Sequence, residues 1–217
     1  MSVTPSSPVE ALEPWIQARL HPLADYDPTT RGTRSDYDLN PEAFIRPSGP
    51  LVHAAVLAAL VEREAGLTVL LTRRADTLSN HSGQVAFPGG RAEPGEAPWE
   101  TALREAEEEV GLDRSFVRVA GLGDTYETVS GFSITPVVGF VRPGFVLSPY
   151  EGEVAEVFET PFAFLMDPAN HELRMREFSD GRRAHYYAMP HEERLIWGAT
   201  AGMLRGLYER LFGSRSR

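Results

Sequence analysis

Apolar residues are sparse over the first fifty positions and come in runs from Leu51 onward. Leu12, Trp15, Ile16 and Leu20 recur at helical spacing and predict an amphipathic helix over residues 8–20. Residues 21–50 are rich in Pro, Asp, Thr and Gly and read as a long irregular arm. A structureless stretch of that length has a purpose in a compact domain, here either covering a neighbouring surface or meeting another subunit. Two apolar, strand-compatible stretches, 51–61 and 67–72, are separated by Glu62-Arg63-Glu64-Ala65-Gly66 and predict a hairpin. Residues 77–90 read as a polar loop ending in the break Pro88-Gly89-Gly90. Residues 98–110 predict a strong helix, with Pro98 in its first turn and Gly111 at its stop. Further strands are predicted at 116–125 and 133–141, a short helix over 159–165, late strands at 173–178 and 184–189, and a closing helix over 196–212. No repeat or linker divides the chain. The expectation is one mixed α/β domain over 1–217, with helix and arm to residue 50 and the catalytic core from 51.

Composition narrows the class. Hydrophobic residues make up 42% and charged residues 24%, the balance of an ordinary globular protein. The longest apolar run, near 51–61, is too short to span a bilayer, and the first residues lack the basic start and apolar stretch of a secretory signal. There are no cysteines, so disulfides and thiolate metal sites are excluded. A cytoplasmic location and no membrane partner are expected. The net charge of −10 argues against a general nucleic-acid surface. It also means that an anionic substrate needs a cation or local arginines to approach. Part of the acidity is concentrated: seven glutamates and one arginine lie within 93–112.

On a helix turning about 100° per residue, Glu105, Glu108 and Glu109 gather on one side. Trp99, Ala102, Leu103, Ala106 and Val110 form the adjoining apolar face, and Glu100, Arg104 and Glu107 fill a mostly solvent-facing arc. Three carboxylates at i, i+3 and i+4 repel one another, and near a helix C-terminus the macrodipole disfavours them too. A solvated face tolerates both effects. A divalent cation held by hard oxygen ligands, Mg²⁺ or Mn²⁺, compensates them.

The spacing is more specific. From Gly90 the chain runs through five residues to Glu96, then seven more to Arg104-Glu105-Ala106-Glu107-Glu108-Glu109-Val110-Gly111-Leu112. This resembles the Nudix box over its whole length, with Gly90, Glu96, Arg104, Glu105, Glu108, Glu109 and Gly111 at the fixed positions. A chance match is on the order of 10⁻⁸ per window at typical residue usage. The one soft departure is Ala106, where the family more often has a larger aliphatic residue. The resemblance implies an α/β/α sandwich around a mixed sheet and metal-dependent hydrolysis of a nucleoside diphosphate derivative. Carried over by position, it implies Glu105 and Glu109 as the main metal ligands, joined by Glu108 and by the carbonyl of Gly89. It implies that Arg104 orients a box glutamate and that Glu96 supports the loop or the metal shell. The general base differs among Nudix enzymes; the candidates outside the box are Glu127, Glu151, Glu153 and Glu156.

Upstream, Leu70-Leu71-Thr72-Arg73-Arg74-Ala75, Gly83 and Phe87-Pro88-Gly89-Gly90 resemble the second motif of the coenzyme A pyrophosphatases of the Nudix family. One departure is Ser79, where that pattern usually has Arg. The resemblance implies coenzyme A as the small-molecule substrate. Arg73, Arg74 and Arg91 precede the acidic helix, and arginine forks suit phosphate, so these three are the expected substrate-binding residues. His81 reads as a hydrogen-bonding loop residue. ADP-ribose, NADH or another nucleotide derivative is the alternative substrate, and a non-catalytic nucleotide-binding module is the alternative of another class. A homodimer is one use of the arm.

Overall fold

The structure, a computed structural model, describes residues 8–46, 48–76 and 82–213. Ser79 and His81 lie outside the described residues. The helices are α1 (Pro8–Gln17), α2 (Pro98–Val110), α3 (Phe162–Leu165) and α4 (Ala199–Phe212). The first nine strands are β1 (Arg34–Ser35), β2 (Val52–Arg63), β3 (Gly66–Arg74), β4 (Val85–Ala86), β5 (Gly89–Arg91), β6 (Val117–Leu122), β7 (Tyr126–Glu127), β8 (Phe132–Val141) and β9 (Val154–Pro161). They form one mixed sheet. Its centre is the parallel pair β2–β8, in register from Val52↔Phe132 to Val61↔Val141. β3 and β5 pair antiparallel with β2, β6 and β7 with β8, and β9 with β3. A separate three-stranded sheet holds β10 (Glu172–Glu177), β11 (Arg183–His191) and β12 (Arg194–Trp197).

β2 is apolar almost throughout because helices cover both of its faces. Ala55, Leu57, Ala59 and Val61 point toward Ala102, Ala106 and Val110 of α2. Val56, Ala58 and Leu60 point the other way, into a core shared with Ile16 of α1, Phe162 of α3 and Leu204 of α4. This is the α/β/α sandwich expected. α2 has the predicted bounds: Glu100 turns back to accept from the Ala97 N–H at 2.8 Å, and Gly111 ends the helix in the left-handed region at φ 69°.

Several segments differ from the sequence reading. α1 ends at Gln17, though Leu20 still reaches the core. The polar stretch after residue 76 includes the short strands β4 and β5. Residues 154–161 form strand β9, and only Phe162–Leu165 is helical. The acidic residues of β9 are tolerated on the sheet because arginines meet them: Arg63 Nε donates to Glu159 at 2.9 Å, and Arg194 bonds Glu156. Residues 194–197 are strand β12, and Gly198 at φ 65° breaks the chain before α4 begins.

The arm lies against the sheet and is anchored at named points. β1 pairs with β7, and His21 bridges Leu122. The carboxylate of Asp36 accepts from Tyr126 Oη and from the Val129 N–H, and Asn40 bonds the backbone of His185 on β11. Among the described residues no helix is long and apolar enough to cross a membrane.

Candidate active site

β5 brings Gly89 and Gly90 alongside Val56 and Ala55, and α2 packs over both strands. Gly90 leaves room for Glu105: a Cβ there would lie 2.5 Å from the Glu105 carboxylate. Glu109 is buried, and its Oε2 accepts from the Gly89 N–H at 3.0 Å. Burial, aided by the charges of Glu105 and Glu153, pushes the Glu109 carboxyl up to about 7 against the opposing Gly89 N–H and Arg74 guanidinium. Burial also raises Glu105, Arg104 opposes the shift, and Glu108 and Glu153 add to it.

Arg104 is the hub of the site, not the solvent-facing residue of the helical projection. Its guanidinium donates to Glu96 at 2.8 Å, to Glu105 at 2.9 Å, to Glu108 at 3.1 Å and to the Arg91 carbonyl at 3.1 Å. The bond from Arg104, helped by the Glu93 N–H, holds the Glu96 carboxyl down to about 2. The loop between β5 and α2 is thereby tied to the helix that follows it. Glu108 is exposed and turned toward Arg104.

The four candidate bases separate. Glu127 is fully buried and serves the arm: it accepts from the Gly32 N–H at 3.0 Å and ion-pairs with Arg46 at 3.0 Å. Glu156 pairs with Arg194 and Arg73. Glu151 is exposed in the turn before β9. Of these candidates, Glu153 alone acts electrostatically on both Glu105 and Glu109.

The three arginines separate as well. Successive strand residues face opposite sides, and β3 divides Arg73 from Arg74. Arg74 lies on the α2 side, with Nη1 3.9 Å from Glu109 and a buried Nε that has no hydrogen-bond partner among the described residues. Arg73 lies on the other side, bonded to Asp76 at 3.0 Å and near Glu156. The structure therefore does not bring Arg73 to the glutamates. Arg91 is exposed at the end of β5, at the edge of a groove leading toward the arm.

Among the described residues no three acidic or histidine side chains stand together in a geometry that holds a metal ion. Glu105 and Glu108 are drawn to Arg104, and Glu109 to Gly89. The chemistry of the donors nevertheless suits a hard divalent cation: the carboxylates of Glu105 and Glu109 lie against Gly90 and Gly89.

The sequence matches the NUDIX domain over residues 51–188. A protein of Yersinia enterocolitica described as an uncharacterized Nudix hydrolase, NudL, is 41% identical over 166 residues, covering 73% of this chain and 81% of that one. A protein of the same description from Photorhabdus laumondii is 38% identical over 161 residues, covering 73% and 84%. Among solved structures, an Ap4A hydrolase of C. elegans shares 18% identity at a TM-score of 0.45, covering 51% of this chain and 80% of that one. The NUDIX domain of Shewanella oneidensis NrtR, solved with ADP ribose, shares 19% at 0.41, covering 65% and 81%. At these TM-scores the structural likenesses add nothing to the family match. That match spans more than half of the chain and includes the whole acidic helix, so the chain belongs to the Nudix family and is a hydrolase acting on a nucleoside diphosphate derivative.

Proposed function

We propose that the chain hydrolyses the diphosphate of coenzyme A to 3′,5′-ADP and 4′-phosphopantetheine, using Mg²⁺ or Mn²⁺. The observation that carries this reading is the segment from Leu70 to Gly90, which resembles the coenzyme A pyrophosphatase motif and runs directly into the box. The physical support is that β3 aims Arg74 at the glutamate side of the sheet, with its Nη1 3.9 Å from Glu109, and an arginine fork suits phosphate.

Glu105 and Glu109, with Glu108 and the carbonyl of Gly89, are the proposed metal ligands. A divalent cation bound there neutralises charge developing on the diphosphate and acidifies an attacking water. Arg104 holds Glu105 and the Glu96 loop in place. Glu153, charge-coupled to both ligand glutamates, is the proposed base: its carboxylate takes the proton of the water as that oxygen bonds to phosphorus. The P–O bond to the second phosphate breaks, and each half leaves with one phosphate of the former diphosphate, as 3′,5′-ADP and 4′-phosphopantetheine. Arg74, with Arg91 at the rim, is the proposed anchor for the substrate's phosphates.

The test is product analysis by mass after incubation with coenzyme A, ADP-ribose and NADH in parallel with Mn²⁺. The masses of 3′,5′-ADP and 4′-phosphopantetheine are expected. Much faster cleavage of ADP-ribose or NADH overturns the substrate and leaves the hydrolase standing.

A further inference from the structure

The strand β2 is Val, Ala and Leu for most of its length, yet its second residue is His53, on the face that α2 covers further along. On that same face β8 carries Ser133 opposite His53 and Thr135 opposite Ala55. Only the first turn of α2 borders this end of the sheet, with Pro98 on the cavity wall, and the arm roofs it. Two adjoining cavities result, of about 140 Å³ and 330 Å³, both lined by Tyr26, Pro28, His53 and Thr135, and together they make up the pocket under the arm. The larger lies within the range of small-molecule sites, roughly 300–1,000 Å³. The roof is fixed, because Tyr26 packs edge-on against Trp99 of α2 at 6.3 Å and the Gly32 N–H is held by buried Glu127.

The position of the pocket gives it a meaning. Ala55 lines its inner end, and Ala55 pairs with Gly90, against which Glu105 lies. His53 is two residues further along the strand, roughly 7 Å away, about the span of a ribose between a base and its diphosphate. Arg91 lines the larger cavity. At the outer end the arm contributes Asp25 and Asp27, while Arg31 is ion-paired with Glu127. That end suits an uncharged group and not a phosphate. Hydroxyls and an imidazole on the floor with an aromatic ring on the wall match a flat heteroaromatic group with polar edges.

We propose that this pocket, built jointly by the arm and the start of β2, receives the base of the substrate's nucleoside, with Tyr26 as the stacking wall and His53 reading the base edge. It rests on the reading that the diphosphate is cleaved beside Glu105 and Glu109.

The test compares full-length wild type with Tyr26→Ala and His53→Ala, measuring the affinity for ADP and for 4′-phosphopantetheine by calorimetry. ADP affinity is expected to fall roughly tenfold in each variant, the size of one lost base contact, with 4′-phosphopantetheine affinity unchanged. Tyr26 bridges arm and helix, so its variant can lose the fold; His53 is exposed, and its variant keeps the test decisive. Unchanged ADP affinity in folded His53→Ala overturns the proposal, as does a loss confined to 4′-phosphopantetheine. Failure of the wild type to cleave coenzyme A, with another nucleotide cleaved, overturns the substrate reading alone, because ADP reports the pocket independently.

Discussion

The backbone N–H of Gly89 donates to Oε2 of buried Glu109 at 3.0 Å, which locks the strand before the box to the helix within it. The bond partly compensates a carboxylate held in an unfavourable place: burial and two neighbouring glutamates oppose its charge, and Arg74 stands 3.9 Å away. A divalent cation is the natural further compensation.

Glu109→Gln keeps the shape and removes that charge. Turnover is expected to fall about 100-fold. A second readout separates metal binding from catalysis. In the wild type, Mn²⁺ at one hundred times its Kd stabilises the fold by about 2.7 kcal/mol, a rise in Tm of roughly 5–10 °C at this chain length. In Glu109→Gln the Mn²⁺-induced rise is expected to shrink to less than half. An equal rise in both proteins removes Glu109 from the ligand set.

Adjacent glycines are expected to answer differently to the same substitution. The atoms nearest a Cβ on Gly90 are the carboxylate end of Glu105, a flexible group that can move aside. Gly90→Ala should therefore fold with a stability loss under about 1 kcal/mol, yet lose most of its activity because Glu105 is displaced. A Cβ on Gly89 meets the Ala55 carbonyl at 2.4 Å and Val56 Cα at 2.6 Å, which is backbone of the central strand. Gly89→Ala should cost about 2–3 kcal/mol of stability. Urea unfolding beside a turnover assay checks the pair, and equal stability losses would contradict it.

The acidic helix was legible because its signals are local: Pro98, Gly111 and the periodicity between them fix α2 to its end residues. β9 was not, because Val154, Val157 and Phe158 do not alternate cleanly, and residues 154–161 are extended through pairing with β3 and through Arg63 and Arg194 meeting their acidic neighbours. The run Arg194-Leu195-Ile196-Trp197 continues without a gap into apolar α4, so only the backbone at Gly198 reveals the break. Within the site, Arg104 was placed by the family spacing and misplaced by the helical projection, which carries no knowledge of the loop folding back over it. The pocket under the arm joins residues far apart in sequence, Tyr26 with Thr135, so no local pattern announces it.

Asp124 ties the arm to the closing helix: it bonds Arg210 of α4 and His21 of the arm, with Arg34 at 3.5 Å. Burial works to raise its carboxyl, but the bonds to Arg210 and His21 and the charge of Arg34 outweigh it and hold the carboxyl below the ordinary range. Its stabilisation is thus complete above the unfolded value, about 3.9, and is lost as pH falls through the lower folded value. Asp124→Asn is expected to cost about 2 kcal/mol at pH 7. In urea titrations the gap to wild type should narrow as pH falls below about 4. A gap that widens below that pH would reverse the assignment.

Arg73 and Arg74 are neighbours in sequence but stand on opposite faces of β3. Arg74 shares its face with Glu109, and its Nε has no partner among the described residues; Arg73 is engaged by Asp76 and Glu156 on the other face. If phosphate is gripped on the α2 side, the two must differ in binding. Arg74→Ala is expected to raise KM for coenzyme A at least about tenfold, the loss of one charge-assisted phosphate contact. Arg73→Ala breaks partly exposed ion pairs, so its cost is expected in stability, below about 1 kcal/mol, with KM within about twofold of wild type. Steady-state kinetics on both variants decide the matter. A larger KM effect at Arg73 would put the diphosphate on the opposite face of the sheet from the glutamates and would overturn the arrangement of the site.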